Sequence, residues 1–335
     1  MTIFDETALS IDVRLLVCPR DRSELSRRLD ALSCEFGHSY PIVDGIPVML
    51  LEELPANTAI TESLGIAAAG SYNAFGNESP EDVHQQVSQM ISATNGLLYS
   101  HLVNNLPRYP IPELRMVAGQ KSLLLDVGCN WGRWTIAASE KGYNAVGLDP
   151  HLKSLAAARL VARQRGCRCQ FVCGDARAMP FRENAFDSIF SYSVIQHFSR
   201  VDARLALIEA ARVLRLGGQA MVQMPNKFGI RSLYHLTRRN FRDGEAFDVR
   251  YWTPASLLKA FTEIFGDATV SVDGFFGLGI QSADIDLMPF THRIVIRASE
   301  LMRKATSVMP MLSNVADSLY ITSVKNEHAL VPTGS

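Results

Sequence analysis

One stretch of the chain combines an acid, two glycines and an asparagine at a spacing that can hold a small ligand against main chain. In Leu123-Leu-Leu-Asp-Val-Gly-Cys-Asn-Trp-Gly-Arg-Trp134 an apolar run ends in Asp126. Gly128 and Gly132 follow where the chain must turn sharply into a helix and let a ligand touch backbone. The spacing is not the three-glycine dinucleotide fingerprint. Asn130 stands where a middle glycine would be expected, and Asn is one of the few other residues that tolerate positive φ. Asp149 closes the next apolar run, Ala145-Val-Gly-Leu-Asp149, placed either to accept both hydroxyls of a ribose or to cap a helix from Pro150. Asp175, in Cys173-Gly-Asp-Ala176, could accept from an exocyclic adenine amine or cap a turn.

These residues sit at the ends of alternating segments. Strand patterns cover 121–127, 144–149, 168–173, 186–192 and 217–224, with helical patterns such as 152–165 and 202–214 between them. Phe186-Asp187 begins the central fourth strand, and Leu214-Arg-Leu-Gly-Gly-Gln219 reads as a helix-ending glycine turn into the fifth. Such alternation predicts a parallel sheet covered by helices on both faces, with ligands at the carboxyl ends of the strands near the switch point. Upstream, residues 11–51 read as a compact β-rich unit with a turn at Asp44-Gly45. Residues 52–80 lack sustained periodicity and suit a linker or an ordered lid. Helical spacing returns over 81–105 (Val83, Val87, Met90, Ile91, Leu97, Leu98, Leu102) before Pro107, Pro110 and Pro112 break it.

Composition fits a globular chain of 335 residues: 47% hydrophobic, 20% charged, with a net formal charge of −1 that advertises no nucleic-acid or membrane partner. No run approaches the roughly 18 to 20 apolar residues of a membrane helix. Met1 to Ser10 carry no Lys or Arg and no apolar core, so a secretory signal is not expected and the cytoplasm is the default. Six cysteines are too sparse for a disulfide scaffold.

Asp126-Val-Gly-Cys-Asn-Trp-Gly132, Gly147-Leu-Asp149, Gly174-Asp-Ala176, Phe186-Asp187 and Arg212-Val-Leu-Arg-Leu-Gly-Gly218 together resemble the motifs of class I S-adenosylmethionine-dependent methyltransferases, over about 110–325. The resemblance implies a Rossmann-like, doubly wound α/β fold with a seven-stranded, mostly parallel sheet whose last strand, near Leu319 to Lys325, is antiparallel. It implies S-adenosylmethionine as cofactor, with Gly128 and Gly132 near its methionine moiety, Asp149 at the ribose and Asp175 at the adenine. The expected cofactor contacts are Asp126, Gly128, Asn130, Gly132, Asp149, Asp175, Ala176 and Ser191.

Cys18-Pro, Leu32-Ser-Cys34, Gly37-His38-Ser-Tyr-Pro41 and Asp44-Gly-Ile-Pro-Val-Met-Leu50 resemble the small zinc-ribbon proteins that act as activator subunits of tRNA and protein methyltransferases, here fused in cis. That family's site has four thiolates, and this chain lacks half of them. Asp21 stands in the second position, so Cys18, Asp21, Cys34 and His38 make a mixed set with shifted spacing, and a metal-free ribbon docked on the catalytic domain is the expectation. Cys167, Cys169 and Cys173 fall on the third strand and read as small apolar residues. The domains expected are the ribbon at 1–55, a linker and helical lid at 56–109, the catalytic domain at 110–325, and a flexible tail at 326–335.

An alcohol acceptor needs a base to take its proton as the new bond forms. His197, in Ser191-Tyr-Ser-Val-Ile-Gln-His-Phe198 just after the fourth strand, is the candidate. The same loop lacks the Asn/Asp-Pro-Pro-aromatic signature of amino-directed DNA and protein methyltransferases, which argues against DNA as acceptor. Two insertions could shape the acceptor site. One, 226–252, interleaves Lys227, Arg231, Arg238, Arg239, Arg242 and Arg250, against Asp243, Glu245 and Asp248, with Tyr234, His235, Phe241, Phe247, Tyr251 and Trp252; Arg231, His235, Arg250 and Tyr251 are the candidate substrate residues. It could equally be a solvated helix face. The other, 275–314, reads as amphipathic helix that caps the pocket or pairs with a second subunit. The expected function is methyl transfer to a hydroxyl of a small molecule, a sugar, glycolipid precursor or specialised metabolite, with an anionic group on it where the Arg-rich segment serves as a clamp. Alternatives are an RNA methyltransferase using the ribbon and the Arg-rich segment, or a non-catalytic cofactor-binding subunit.

Overall fold

The structure, a computed structural model, describes residues 11–327 apart from 56, 71–72, 77, 95–97, 104–105, 118–120, 243, 246–247 and 278. Leu97, Asp243, Phe247, Met1 to Ser10 and all but the first two residues of the expected tail lie outside the described residues.

The chain opens with a four-stranded antiparallel meander: β1 (Leu25–Arg28), β2 (Ala31–Cys34), β3 (Ser39–Val43) and β4 (Ile46–Pro47). Asp44 and Gly45 both adopt positive φ, 49° and 69°, and close the two-residue hairpin in which Val43 pairs with Ile46. Two helices follow, α1 (Thr58–Ala68) and α2 (Pro80–Ser92). The stretch read as aperiodic linker or lid is thus partly helical. Asn57 caps α1 by accepting from the Ile60 N–H, and Ser79 with Asp82 forms a capping box on α2. Helix α1 is rich in alanine, so intrinsic propensity favours it without an apolar stripe.

The larger unit alternates β5 (Leu123–Val127), α3 (Arg133–Glu140), β6 (Asn144–Asp149), α4 (Leu152–Gln164), β7 (Gln170–Cys173), β8 (Phe186–Tyr192), α5 (Arg200–Val213) and β9 (Leu214–Pro225). Then come α6 (Ile230–Arg238), α7 (Pro254–Phe265), β10 (Ala268–Gly274), α8 (Phe290–Ala305) and β11 (Ser318–Val324). The sheet order is β10-β11-β9-β8-β5-β6-β7, with β11 antiparallel to both neighbours, as the resemblance implied. The chain reverses its direction of winding between β5 and β8, which puts the switch point at the carboxyl ends of those strands.

One turn differs from expectation. Leu214 to Gly218 is not a helix-ending turn but the first arm of β9. Leu214 is fully buried and pairs with Phe186, so the chain leaves the helix at Val213 already extended. The glycines lie where Lys325 clasps the arm: the Gly217 N–H donates to its carbonyl, its N–H donates to the Gly218 carbonyl, and its ammonium reaches the Leu214 carbonyl at 2.7 Å.

The ribbon docks on the edge of the large sheet. Val48 bridges Cys173 in parallel, and the Met49 N–H donates to the Cys173 carbonyl at 2.7 Å. Leu16 bridges Phe181, and the Val17 and Arg182 amides complete the seam. Leu16, Leu32, Ile42 and Met49 join one apolar cluster with Leu125, Val127 and Phe181. The outer edge of β7, which would otherwise expose unpaired amides, is thereby covered.

Candidate active site at the carboxyl edge of the sheet

The turn after β5 is shaped by its backbone. Gly128, Asn130 and Gly132 have φ of 77°, 48° and 80°. A Cβ on Gly128 would lie 2.2 Å from a methyl of Val194, and one on Gly132 would lie 2.8 Å from the Ala158 methyl. Asn130 supports its own turn, its side-chain oxygen accepting from the Trp131 N–H at 2.7 Å. The Gly128 and Cys129 amides both donate to the Leu148 carbonyl, and the Asn130 N–H donates to the Asp149 carboxylate at 2.9 Å. Asp149 accepts as well from the His151 N–H at 2.9 Å, so it both caps the entry to α4 and ties that entry to the glycine turn. Burial pushes its carboxyl upward.

Asp126 lies deeper, 1% exposed, with the Thr135 hydroxyl donating to it at 2.7 Å. Burial, reinforced by the nearby Asp149 charge, pushes its carboxyl up to about 7. Asp175 is held by Arg177, which donates from its backbone N–H, Nε and Nη2 (2.7 Å), while the same guanidinium reaches the Pro55 carbonyl. Ala176 is buried beside it. The Ser191 hydroxyl donates to the Val127 carbonyl at 2.9 Å, zipping β5 to β8 at the switch point.

On the other side of the switch point, His197 ends a 3-10 turn (Ile195–His197) and is half-buried, with its Nε2 3.2 Å from the Gln196 amide nitrogen. Arg250 straps this turn: its N–H donates to the Gln196 carbonyl and its guanidinium to the His197 carbonyl at 2.7 Å. Ser193, a non-glycine residue at φ 59°, is held there because its N–H and hydroxyl both reach the Gln223 side-chain oxygen at 2.9 Å. Gln223 donates on to Ser318, and Ser318 and Tyr192 donate to Asp273 at 2.8 Å. Arg231 and His235 pair on α6 at 3.3 Å, and Arg239 lies over the Tyr251 ring at 5.6 Å. Burial, and then the charges of Arg231, Arg239 and Arg238, push His235 below the usual imidazole range. Of the candidate substrate residues, Arg231 pairs with His235 and Tyr251 lies beside them under Arg239, while Arg250 alone straps the His197 turn.

Residues 124–218 match the methyltransferase domain family. Over these residues the chain carries a methyltransferase domain. It is 41% identical over 105 residues to the probable tRNA methyltransferase 9B of Homo sapiens, a match covering 30% of this chain and 21% of that protein. It is 29% identical over 155 residues to the ubiquinone biosynthesis O-methyltransferase of Nitrobacter winogradskyi, covering 44% of this chain and 57% of that one. A solved complex between the Haloferax volcanii Trm112 methyltransferase activator and the putative methyltransferase is similar at a TM-score of 0.44 and 19% identity, covering 74% of this chain and 96% of that one. The chain matches about a fifth of the length of the first of these relatives.

Contacts that sequence reasoning missed tie the preceding helices and the second insertion to the methyltransferase domain. Ser63 of α1 donates to the Pro150 carbonyl and accepts from the Leu152 N–H, both at 2.8 Å, so α1 caps the start of α4 beside Asp149. The Trp131 indole, almost fully buried, donates to Thr94 at 2.7 Å. Asp284, in a 3-10 turn of the second insertion (Ser282–Leu287), is fully buried; Tyr99 donates to it at 2.8 Å and Arg133, the first residue after the glycine turn, at 3.4 Å. No local sequence signal marks these pairs, because each joins segments far apart in the chain. Cys173 is buried with its thiol against the Pro150 carbonyl, and Cys167 and Cys169 are half-buried. Among the described residues no helix is long and apolar enough to cross a membrane.

Proposed function

We propose that this chain transfers a methyl group from S-adenosylmethionine to a hydroxyl of a small, anionic molecule. The observation that carries the donor half is Asp149: a buried carboxylate at the carboxyl end of β6 that accepts two backbone amides and retains lone pairs for the two hydroxyls of a ribose. The positive-φ turn beside it packs its glycines directly against Val194 and Ala158, which fixes the loop next to that carboxylate. Asp126, behind Thr135, acts by positioning this turn. Asp175 would meet adenine with its carboxylate already oriented by Arg177.

S-adenosylmethionine supplies an electrophilic methyl group, so the chain's own task is to align the acceptor, exclude water and remove a proton. His197 is the proposed base, held at the end of β8 by Arg250 and the Ser193–Gln223 contact. The Arg231, Arg238 and Arg239 guanidinia give α6 a positive field suited to a phosphate or carboxylate on the acceptor. The lid and the Asp284 turn exclude water. The row Phe290, Ile294 and Leu301 stays exposed on α8 and would serve the pairing with a second copy.

Labelled donor offered with matched hydroxylated acceptors, with and without a phosphate or carboxylate, tests the reading. Transfer to oxygen, favoured by the anionic group, is expected; transfer to nitrogen alone overturns it. The likeness to a tRNA methyltransferase favours RNA as a second reading. RNA affinity that falls steeply with salt, together with methylated RNA, would decide for it, because phosphate contacts release counterions.

A further inference from the structure

We infer that Cys18, Asp21, Cys34 and His38 form a tetrahedral metal site, matched to zinc, and that the ion locks the turn through which the ribbon grips the methyltransferase domain. One donor atom from each residue lies within 4.8 Å of all the others. His38 Nδ1 is 3.5 Å from the Cys18 sulfur, 3.5 Å from the Cys34 sulfur and 2.8 Å from Asp21 Oδ2, and the Cys34 sulfur is 3.6 Å from that same oxygen. Zinc bonds of about 2.3 Å to sulfur and about 2.0–2.1 Å to nitrogen or oxygen, set at tetrahedral angles, give S···N and S···O edges of about 3.5 Å. All three measured edges that involve sulfur have that length. The N···O edge, 2.8 Å, is that of a His38–Asp21 hydrogen bond and must open to about 3.3 Å when both atoms bind the ion.

Hydrogen bonding alone does not account for the cluster. One imidazole nitrogen offers either one lone pair or one proton, yet Nδ1 has three polar neighbours at contact distance. A cation at the centre satisfies all of them. The four donors come from two tight turns that face each other. In the first, the Arg22 N–H donates to the Cys18 carbonyl; in the second, between β2 and β3, the Gly37 N–H donates to the Cys34 carbonyl, with Gly37 at φ 86°. Further contacts orient the ligands: the Ser23 N–H donates to the other Asp21 oxygen at 2.9 Å, and the Tyr40 hydroxyl lies 3.1 Å from the Cys18 sulfur. The two cysteines are buried, while Asp21 and His38 face outward and leave a route for the ion.

The site is coupled to docking through the next residue. Arg22, at φ 64°, reaches across to the Met179 carbonyl at 2.8 Å and to Glu209 at 3.0 Å, and Glu209 also accepts the Met179 N–H. The turn that would carry two ligands is therefore the turn that bolts the ribbon to the segment following Asp175. Relative to a four-thiolate site, histidine and aspartate in place of two sulfurs predict weaker, more pH-dependent binding.

The test is metal content and cobalt spectroscopy of the full chain, reduced and reconstituted without oxygen. One zinc per chain is expected, and cobalt should produce a sulfur-to-cobalt charge-transfer band with tetrahedral ligand-field bands. Cys34→Ser and His38→Gln should each lower affinity at least tenfold, with Cys169→Ser as the unaffected control. Should those variants fail to fold, cobalt titration of the unmutated chain decides. Substoichiometric metal without these bands overturns the site, as does undiminished affinity in both variants. Chelation should speed amide exchange at Val17 and Met49 at least tenfold while Leu125 stays protected; unchanged exchange at the seam overturns the coupling to docking.

Discussion

The two halves of the carboxyl edge are built on different principles. Around β5 and β6, the proposed donor cradle is shaped by contacts within a short span of chain, from Asp126 to His151: two backbone amides donate to the Asp149 carboxylate and the Thr135 hydroxyl donates to Asp126. Around β8 and β9, the His197 turn is positioned by side chains from distant segments: Ser193 on Gln223, Gln223 on Ser318, Ser318 and Tyr192 on Asp273, and Arg250 on His197. If the proposed roles hold, the locally built half suits a ligand whose shape does not vary, and the half built from distant side chains could be changed for a new acceptor without disturbing the donor.

The sharpest way to break this contrast is Gly128→Val. Its branched side chain would start where Val194 already sits, on a backbone at φ 77°, so destabilisation of about 3 kcal/mol or more and loss of donor binding are expected. Thermal unfolding and calorimetry check both, and a variant that still bound the donor normally would show that the turn is not the cradle. Asp149→Ala comes next. Losing the two proposed ribose hydrogen bonds should weaken donor affinity by roughly 1 to 3 kcal/mol, about 5- to 150-fold.

On the acceptor side, Gln223→Ala releases Ser193 from its strained conformation. Donor affinity should stay within about twofold while turnover falls by roughly tenfold or more, consistent with about 1 to 2 kcal/mol of lost positioning. Equal losses in both quantities would show that the two halves are one unit. A further prediction, read as a pH dependence rather than a single loss, concerns Asp126→Asn. Because burial raises the native carboxyl to about 7, the folded chain keeps a proton that the unfolded chain releases near pH 4. Stability contributed by this group therefore falls as pH rises through that window and levels off above it. Asp126→Asn should remove a slope of at most about 1.4 kcal/mol per pH unit, read from denaturant unfolding at several pH values. A wild-type-minus-variant difference independent of pH would contradict it.

Much of the donor half was legible because its rules are local. Alternating apolar runs place β5, β6 and β8 within a residue or two, and a turn that needs positive φ announces itself through Gly128, Asn130 and Gly132. Two local readings failed where distant partners intervened. Leu214 to Gly218 looks like a helix stop, yet Phe186 and Lys325 draw it into the ladder. Helix α1 has a weak apolar pattern, and what holds it is Ser63 between Pro150 and Leu152. Arg250 was a candidate for substrate, but nothing in the order of residues pairs it with His197.

The ribbon shows the same division at its clearest. Its hairpin at Asp44-Gly45 could be read directly, since a two-residue turn depends on neighbours along the chain. The spacing of Cys18, Asp21, Cys34 and His38 argues against a shared ion, yet folding sets their donor atoms around one point. Distances along the backbone govern turns and strands, whereas a ligand sphere depends on distances through space, and those exist only after two turns from separate segments have packed face to face.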